Sequence, residues 1–278
     1  MTERLSVIIP ASNEEGWIAA CLSALFASDP PGVPAQAVVV ANGCRDATAA
    51  AARALAGKAA RVGWQLDVLD LAAGGKPGAL NAGDAAATGS IRVYLDADVT
   101  VSPRLIRLLV DALACDGKPR YATGRPVVAP ARSRVTRAYA RFWSRLPFAT
   151  GRAPGFGLFA VNEAGRARWG AFPAIISDDT FVRLQFAPEE REEVAATYLW
   201  PMVEGFGPLV RVRRRQDAGV AEIARRWPDL PLCEGKPPLS GRALGGLALR
   251  DPVGFAVYAG VSAAVRLSPG GGGWTRGR

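Results

Sequence analysis

The sequence contains no histidine among its 278 residues. This absence excludes Ser–His–Asp triads, histidine metal ligands and imidazole proton shuttles, so any general base must be a carboxylate, lysine, tyrosine or cysteine. Cysteine is scarce too: Cys21, Cys44, Cys115 and Cys233 stand far apart and form no C-x-x-C pair. Their spacing argues against a zinc ribbon or a redox dithiol and favours a reducing compartment.

Long hydrophobic runs are also missing. The uncharged run at 253–265 is shorter than the roughly 20 residues of a membrane-spanning helix, so we expect it to form a packed or interfacial helix. Residues 7–9 are too few for the apolar core of a signal peptide. The sequence therefore predicts a cytoplasmic protein, with peripheral contact at the inner face of the cell membrane as a further expectation.

The composition is that of a folded protein with a basic surface. Apolar residues make up 49% and charged residues 21% of the chain, which is typical of an α/β domain. Lysine and arginine give a net charge of +9, which attracts phosphates, anionic membranes or other polyanions. Because the aromatic and basic signature of a nucleic-acid-binding module is missing, we expect no nucleic-acid partner.

Strands and helices alternate through the first hundred residues. Apolar runs predict strands at 5–10, 37–41 and 64–71 and a fourth beginning at Ile91, with helical segments between them. This alternation predicts a largely parallel sheet with right-handed crossovers. Asn13 is expected to cap the first helix.

Two carboxylates follow the fourth strand, in the sequence I-R-V-Y-L-D-A-D-V. Period-2 geometry places the side chains of Asp96 and Asp98 on the same side, at the strand end where open α/β sheets bind ligands. Two like charges this close repel each other unless a positive group lies beside them. A Mg²⁺ or Mn²⁺ ion carrying substrate phosphates meets this requirement, whereas the alternative is a helix cap beside a solvated acid.

A glycine-rich turn with one lysine precedes a helix at 72–81. Its main-chain N–H groups and the ammonium of Lys76 favour an anion site. The turn does not match a Walker A loop, and no strand is followed by the dinucleotide fingerprint G-x-G-x-x-G.

The second half of the chain adds a predicted strand at 121–128 and a glycine-flanked one at 154–161, whose glycines would let a ligand or another backbone approach closely. It also adds basic and acidic clusters. Arginines recur between 134 and 145 beside aromatic residues, which predicts either a solvated basic face over a buried aromatic one or a surface for an anionic membrane or acidic acceptor. An arginine cluster at 209–216 is a candidate diphosphate contact. The segment I-I-S-D-D-T at 175–180 places two acids at a helix start, where Ser177 or Asp178 is expected to be the cap.

Five motifs at successive strand ends carry a family resemblance over residues 5–216. The chain resembles the family 2 glycosyltransferases, which have the A-type nucleotide-diphospho-sugar transferase fold. The motifs are V-I-I-P-A-S-N-E-E at 7–15, V-V-V-A-N-G-C-R-D at 38–46, G-K-P-G-A-L-N-A-G at 75–83, Y-L-D-A-D at 94–98 and S-D-D at 177–179. The fold class implied is α/β, with a mostly parallel Rossmann-like sheet flanked by helices and a short helical C-terminal appendage.

The resemblance implies a nucleotide site and a catalytic site. The candidate nucleoside-binding residues are Asn13, Glu14, Asn42 and Asp46, with Lys76 near the nucleotide. Relatives often carry aspartate at the position of Asn42, so the identity of the base stays open.

The acidic motifs would supply the remaining roles. Asp96 would contact the ribose, and Asp98 would hold the Mn²⁺ or Mg²⁺ ion bound to the diphosphate. Asp179 would act as the carboxylate base of an inverting transfer to an acceptor hydroxyl, with Asp178 as the second candidate. The acceptor class stays open among lipids, glycans and small metabolites.

We expect a catalytic domain at 1–220, with a nucleotide-sugar-binding half at 1–100 and an acceptor-binding half at 101–220. A helical appendage at 221–267 and a disordered tail at 268–278 would follow. The Q-x-x-R-W motif of processive relatives is incomplete, because Ile223 stands at its glutamine position. This departure favours a transferase that adds one sugar over a polysaccharide synthase.

Two alternatives remain at this point. A sugar-1-phosphate nucleotidyltransferase has a related sheet, but it would carry a G-G-x-G-x-R-x-x-x-K type loop where this chain has A-S-N-E-E. A non-catalytic protein that binds a nucleotide-sugar or a membrane surface would show binding without turnover.

Overall fold

The structure is a computed structural model that describes residues 3–114, 117–150, 153–234 and 239–267. The predicted disordered tail at 268–278 lies outside the described residues. Within these ranges the chain forms one eight-stranded sheet with helices on both faces.

The strands begin and end close to the apolar runs of the sequence. The predicted bounds of the third and sixth strands agree with the structure residue for residue. The strands are β1 (Leu5–Ala11), β2 (Ala35–Asn42), β3 (Trp64–Leu71), β4 (Ile91–Leu95), β5 (Thr100–Val101), β6 (Tyr121–Val128), β7 (Leu158–Val161) and β8 (Arg191–Trp200).

The helical segment predicted between the second and third strands is divided in two, because the chain turns at 54–55. The helices are α1 (Glu15–Phe26), α2 (Thr48–Arg53), α3 (Ala56–Arg61), α4 (Lys76–Ala86), α5 (Leu105–Leu113), α6 (Arg134–Trp143), α7 (Pro147–Thr150), α8 (Glu163–Arg166), α9 (Asp178–Arg183), α10 (Phe206–Arg226), α11 (Gly241–Arg250) and α12 (Pro252–Leu267).

The sheet has the order β3-β2-β1-β4-β7-β6-β8-β5. Its first four strands are parallel, and β7 then pairs antiparallel with both β4 and β6. Strand β8 pairs parallel with β6 and antiparallel with the short β5. The predicted α/β class with a mostly parallel sheet and C-terminal helices is confirmed, and the antiparallel β7 divides the sheet into two halves.

The central strands of the parallel half are buried on both faces. Every residue of β2 is buried, as the continuous apolar run predicts. Helix α4 lies directly on β1 and β2, since a Cβ atom at Gly83 would lie 2.4 Å from Cγ2 of Ile8. This close approach fixes the start of α4, and therefore Lys76, relative to the end of β1.

Helices α6, α10 and α12 form a second layer beside the other half of the sheet. Tyr139 and Trp143 of α6, Leu209 of α10 and Val261 of α12 share one apolar cluster. Arg141 donates to both carboxylate oxygens of Asp251, at 2.7 and 2.8 Å, and this contact joins α6 to the start of α12.

The basic helix therefore has its aromatic face buried. Tyr139, Phe142 and Trp143 are buried, whereas the arginines of α6 lie toward solvent or bind Asp251 and main-chain carbonyls. The predicted domain boundary at residue 220 falls inside α10. In the described part of the chain, no helix is long and apolar enough to cross a membrane.

Candidate active site

A cavity of about 580 Å³ opens at the carboxyl ends of β1, β2 and β4 and extends toward α6, α9 and α10. Eight of the nine site residues predicted from the sequence line it. The polar side chains along its wall include Ser12, Asn13, Glu14, Asn42, Lys76, Asp96, Asp98, Ser177, Asp178 and Asp179.

Lys76 links two of the predicted acids. It is the first residue of α4, and its Nζ lies 2.9 Å from Oδ1 of Asp96 and 3.1 Å from Oδ2 of Asp178. Burial alone would lower the pKa of Lys76, but the carboxylates of Asp178 and Asp96 outweigh burial and raise it above its ordinary value. The lysine therefore stays charged where the acids converge.

The two acids of S-D-D occupy different environments. Asp178 is buried, and burial raises the pKa of its carboxyl to about 6; Lys76 opposes this shift, while Asp179 and Asp96 add to it. Asp179 is more exposed, and its Oδ1 accepts from the N–H of Thr180 at 2.6 Å. Ser177 occupies the N-cap position of α9, one of the two positions expected for the cap. Its side chain, however, makes no capping hydrogen bond.

Asn42 supports the glycine-rich turn. Its Nδ2 donates to the carbonyls of Ala11 and Val40, and its Oδ1 accepts from the N–H of Gly75 at 3.0 Å. Both amide protons are used by the main chain, which leaves one oxygen lone pair for a ligand. Asn42 thus lines the cavity and also ties the end of β2 to the start of α4.

Asn13 does not cap the first helix, contrary to the sequence prediction. It adopts a left-handed backbone conformation with φ of 55°, and its Oδ1 accepts from the N–H of Arg45 at 2.6 Å. Glu14 takes the N-cap position of α1 instead, and its N–H donates to Oγ1 of Thr48. The turn after β1 is therefore held to the turn after β2.

Asp46 lies outside the cavity wall, unlike the other predicted site residues. Its Oδ1 accepts from the N–H and the hydroxyl of Thr48, and its Oδ2 accepts from the N–H of Glu15. Burial alone would raise the pKa of Asp46, but these hydrogen bonds together outweigh burial and lower the pKa below its ordinary value. Asp46 joins the starts of α1 and α2.

The donor atoms at the strand end suit Mn²⁺ or Mg²⁺. Both ions prefer oxygen ligands and commonly take one or two protein carboxylates together with phosphate oxygens. Asp96 and Asp98 both line the cavity at the end of β4, so their carboxylates are the candidate ligands for such an ion. Among the described residues, no group of three or more His, Cys, Asp or Glu side chains can hold a metal by itself.

An apolar and aromatic wall forms the other side of the cavity, and the sequence did not predict it. Its members are far apart in the chain, although the glycines near 154–161 had indicated a close approach. The wall consists of Tyr139, Trp143, Phe156, Ile176, Trp200, Met202, Val203, Leu209 and Val212. Trp17 of α1 lies at the polar end and was also missed.

The arginine cluster at 209–216 lies on α10 and contributes one arginine to the cavity wall. Arg215 lines the cavity with Gln216. Arg213 faces α12 instead, where it donates to the carboxylate of Asp217 and the hydroxyl of Tyr258. Arg215 is therefore the arginine of this cluster that remains a candidate diphosphate contact.

Residues 6–166, more than half of the chain, match the family model of glycosyl transferase family 2. The chain belongs to this family. No curated protein matches the sequence of this glycosyltransferase. The match confirms the resemblance seen in the five motifs and the prediction of an enzyme, and it favours a transferase over the two alternatives.

Solved structures of glycosyltransferases share the fold. The mannosyltransferase PcManGT from Pyrobaculum calidifontis is 22% identical with a TM-score of 0.61, over 96% of this glycosyltransferase and 76% of that chain. TarS residues 1–349 from S. aureus are 17% identical with a TM-score of 0.54, over 73% and 59% of the two chains. Glucosyl-3-phosphoglycerate synthase from Mycobacterium tuberculosis is 22% identical with a TM-score of 0.50, over 81% and 80%.

Proposed function

We propose that this glycosyltransferase moves a sugar from a nucleotide-diphospho-sugar to an acceptor hydroxyl with inversion at the anomeric carbon. One observation carries the proposal: Lys76 bridges Asp96 and Asp178 in the cavity that Asp98 and Asp179 also line. A permanent cation among four carboxylates suits a substrate whose diphosphate brings both negative charge and a metal ion.

The donor would occupy the polar side of the cavity. We assign the nucleoside to the turns after β1 and β2, with Asn13 and Glu14 as direct contacts and Asn42 as a contact through its remaining lone pair. Asp96 is the candidate ribose contact. Asp46 keeps these turns together from outside the cavity, so we assign it a supporting role.

The diphosphate would lie near Lys76, Asp98 and Arg215. A Mn²⁺ or Mg²⁺ ion, when bound, supplies charge neutralisation on the leaving phosphates. Asp98 would hold that ion, and the ammonium of Lys76 would stabilise the negative charge that grows as the nucleoside diphosphate departs. PcManGT is described in complex with GDP-Man and Mn²⁺, and the mycobacterial synthase with UDP-Glc and Mn²⁺, which supports this class of donor and metal.

Asp179 would act as the general base. The acceptor oxygen forms a bond to the anomeric carbon, and the bond from that carbon to the phosphate oxygen breaks. The electron pair leaves on the nucleoside diphosphate, and the hydroxyl proton passes to the Asp179 carboxylate. Asp179 suits this role better than Asp178, whose carboxylate is buried and bound to Lys76.

We also propose peripheral contact with an anionic membrane surface through α11 and α12. None of the residues of α11 is buried, and Leu249 and Val253 are highly exposed. Arg242, Arg250 and Arg266 lie on the same two helices and are exposed. Exposed apolar side chains beside arginines suit a surface of anionic lipid headgroups.

A thermal-shift panel tests the donor site. We expect one nucleoside diphosphate, and the nucleotide-sugar that carries it, to raise the unfolding midpoint of the wild type when Mn²⁺ is present, because ligands of the native state stabilise it. The same pair should raise the midpoint of Asp98→Ala much less, since the metal ligand is lost. Asp111→Ala, a change at an exposed residue of α5, serves as the control for loss of one carboxylate.

Two results would contradict this proposal. One is a panel in which no nucleotide shifts the midpoint with or without Mn²⁺. The other is a metal-dependent shift of equal size in the wild type and in Asp98→Ala.

A further inference from the structure

We propose that the acceptor is an alcohol with an apolar body, such as an isoprenoid or aliphatic chain that carries a hydroxyl. Its body would lie on the apolar wall of the cavity and its hydroxyl would face Asp179. The inference rests on the proposed function and names the acceptor class of the same site. The side chains that carry it are Trp143, Phe156, Trp200, Met202, Val203 and Leu209.

The wall lies beside the reacting groups but on different elements. The polar side chains follow β1, β2 and β4 or lie at the starts of α4 and α9, whereas the wall comes from α6, the segment before β7, and the stretch from the end of β8 into α10. The N–H of Asp96 donates to the carbonyl of Gly157 at 2.8 Å. Because Phe156 directly precedes Gly157, the apolar surface begins next to the acidic end of β4.

Three rings of the wall pack against one another. The ring centroids of Trp143 lie 5.4 Å from Phe156 and 5.6 Å from Trp200, and those of Phe156 and Trp200 lie 5.8 Å apart. Gly157 permits this arrangement, since a Cβ atom there would lie 2.9 Å from Cδ1 of Trp200. The hydroxyl of Tyr198 donates to the carbonyl of Phe156 and holds the segment in place. The apolar surface is thus formed before any acceptor binds.

A sugar acceptor would need hydrogen-bond partners for its hydroxyls, and the apolar side of the cavity offers few of them. Among the described cavity-lining residues of α6, of the segment before β7, and from Trp200 through α10, charged or amide side chains are limited to Arg215 and Gln216. Sugar hydroxyls buried without hydrogen-bond partners lose free energy, whereas an apolar chain on the wall gains it. The division of the cavity therefore favours an acceptor that is polar only at its reacting end.

The wall is also part of a larger apolar cluster. Trp200, Met202 and Val203 are partly exposed members of the cluster that includes Val257 and Tyr258 of α12. The apolar wall is therefore continuous with the apolar cluster shared by α6, α10 and α12.

Transfer to an apolar alcohol involves the same bond changes as the proposed reaction. The alcohol oxygen bonds to the anomeric carbon, the bond to the phosphate oxygen breaks with its electron pair on the nucleoside diphosphate, and the proton passes to Asp179. No oxidant or further reactant is needed.

The test measures release of nucleoside diphosphate from the donor that the binding panel identifies, with Mn²⁺ present. The acceptors are water alone, glycerol, glucose, farnesol in detergent micelles, and farnesol in phosphatidylglycerol vesicles. We expect farnesol to raise the rate at least about tenfold above water and to yield farnesyl glycoside by mass spectrometry, whereas glycerol and glucose do not. Activity in micelles would indicate a free apolar alcohol, and activity in vesicles alone would indicate a membrane-borne one.

Two matched variants locate the acceptor. Met202→Gln keeps the length of the side chain but adds an amide to the wall, and we expect the KM for farnesol to rise about tenfold. Val220→Thr changes an exposed residue of α10 outside the cavity and should leave this KM unchanged. The unfolding midpoint of each variant checks that the fold is intact.

The outcomes separate the two proposals. Turnover with glucose or glycerol but not with farnesol would overturn the acceptor class and leave the proposed function standing, as would a KM for farnesol that Met202→Gln does not change. Absence of donor binding and of nucleotide release with every acceptor would overturn both.

Discussion

Asp178 and Asp179 are neighbours in the sequence, yet their side chains lie in different environments. The carboxylate of Asp178 points to Lys76 and is buried, whereas Asp179 is more exposed and lines the cavity from the start of α9. A general base must accept a proton from a bound hydroxyl, so it cannot be fully engaged by a lysine. This difference between the two side chains is the reason for assigning the base to Asp179.

The assignment predicts unequal effects of two equivalent changes. We expect Asp179→Asn to lower kcat by about 10²–10⁴, because proton removal is lost. Asp178→Asn should lower kcat less, since it removes a partner of Lys76 rather than the base. Steady-state kinetics of both variants, with donor affinity measured separately, checks the prediction. A larger loss of kcat in Asp178→Asn than in Asp179→Asn would assign the general base to Asp178 instead.

Among the elements, α4 packs closely against the sheet. Gly83 faces β1 and β2, where an added Cβ would lie 2.4 Å from Ile8 and 3.3 Å from Val40, whereas Gly78 on the same helix has open space around its Cα. Gly83 is therefore needed for packing against the sheet, and Gly78 is not. Since α4 begins with Lys76, its distance from the sheet also sets the position of the ammonium.

Alanine at the two glycines should therefore have opposite effects. We expect Gly83→Ala to lower the free energy of unfolding by about 1–3 kcal/mol, because the new methyl group meets branched side chains of the sheet. Gly78→Ala should raise it by up to about 1 kcal/mol, because alanine loses less backbone entropy in a helix. Urea denaturation measures both values. Similar changes at both positions would show that the close contact with Ile8 does not limit the fold.

The sequence predicted the positions of individual strands better than it predicted which strands pair and which side chains pack together. Continuous apolar runs bounded by polar residues located β3 and β6 to the residue, because local pattern determines where a strand begins and ends. The placement of β7 between β4 and β6 depends on pairing between distant segments, which periodicity does not encode. The same limit explains the missed wall, since Trp143, Phe156 and Trp200 meet through the fold alone.

The polar side of the cavity was easier to predict because its residues follow strand ends directly. Lys76, Asp96 and Asp98 stand in turns whose position parallel strands dictate. Asp46 shows the limit of motif transfer, since its motif matches but its carboxylate binds main-chain groups of α1 and α2. A motif locates a turn, and the hydrogen bonds of the turn decide which side chains reach the cavity.

At the scale of the whole molecule, the net charge of +9 favours anionic surfaces. The C-terminal helices combine exposed arginines with exposed apolar side chains, so the proposed membrane contact belongs there. Each arginine near an anionic bilayer contributes about 1 kcal/mol, and the effect weakens with salt.

The double charge reversal Arg242→Glu with Arg250→Glu should therefore weaken binding to phosphatidylglycerol vesicles by at least about tenfold at low salt. Arg61→Glu with Arg104→Glu makes the same change in net charge on exposed residues of other elements and is the matched control. Vesicle cosedimentation at two salt concentrations measures the effect. Equal weakening by both pairs would mean that overall charge, rather than α11 and α12, governs binding.

The division of the cavity between two sets of elements has a consequence for divergence and redesign. The family match ends at residue 166, whereas much of the apolar wall lies between Trp200 and Val212. A short exchange in that connection would alter what receives the sugar while the turns after β1, β2 and β4 keep their sequence. Grafting this segment between family members is thus a direct route to hybrid enzymes that share a donor and differ in product.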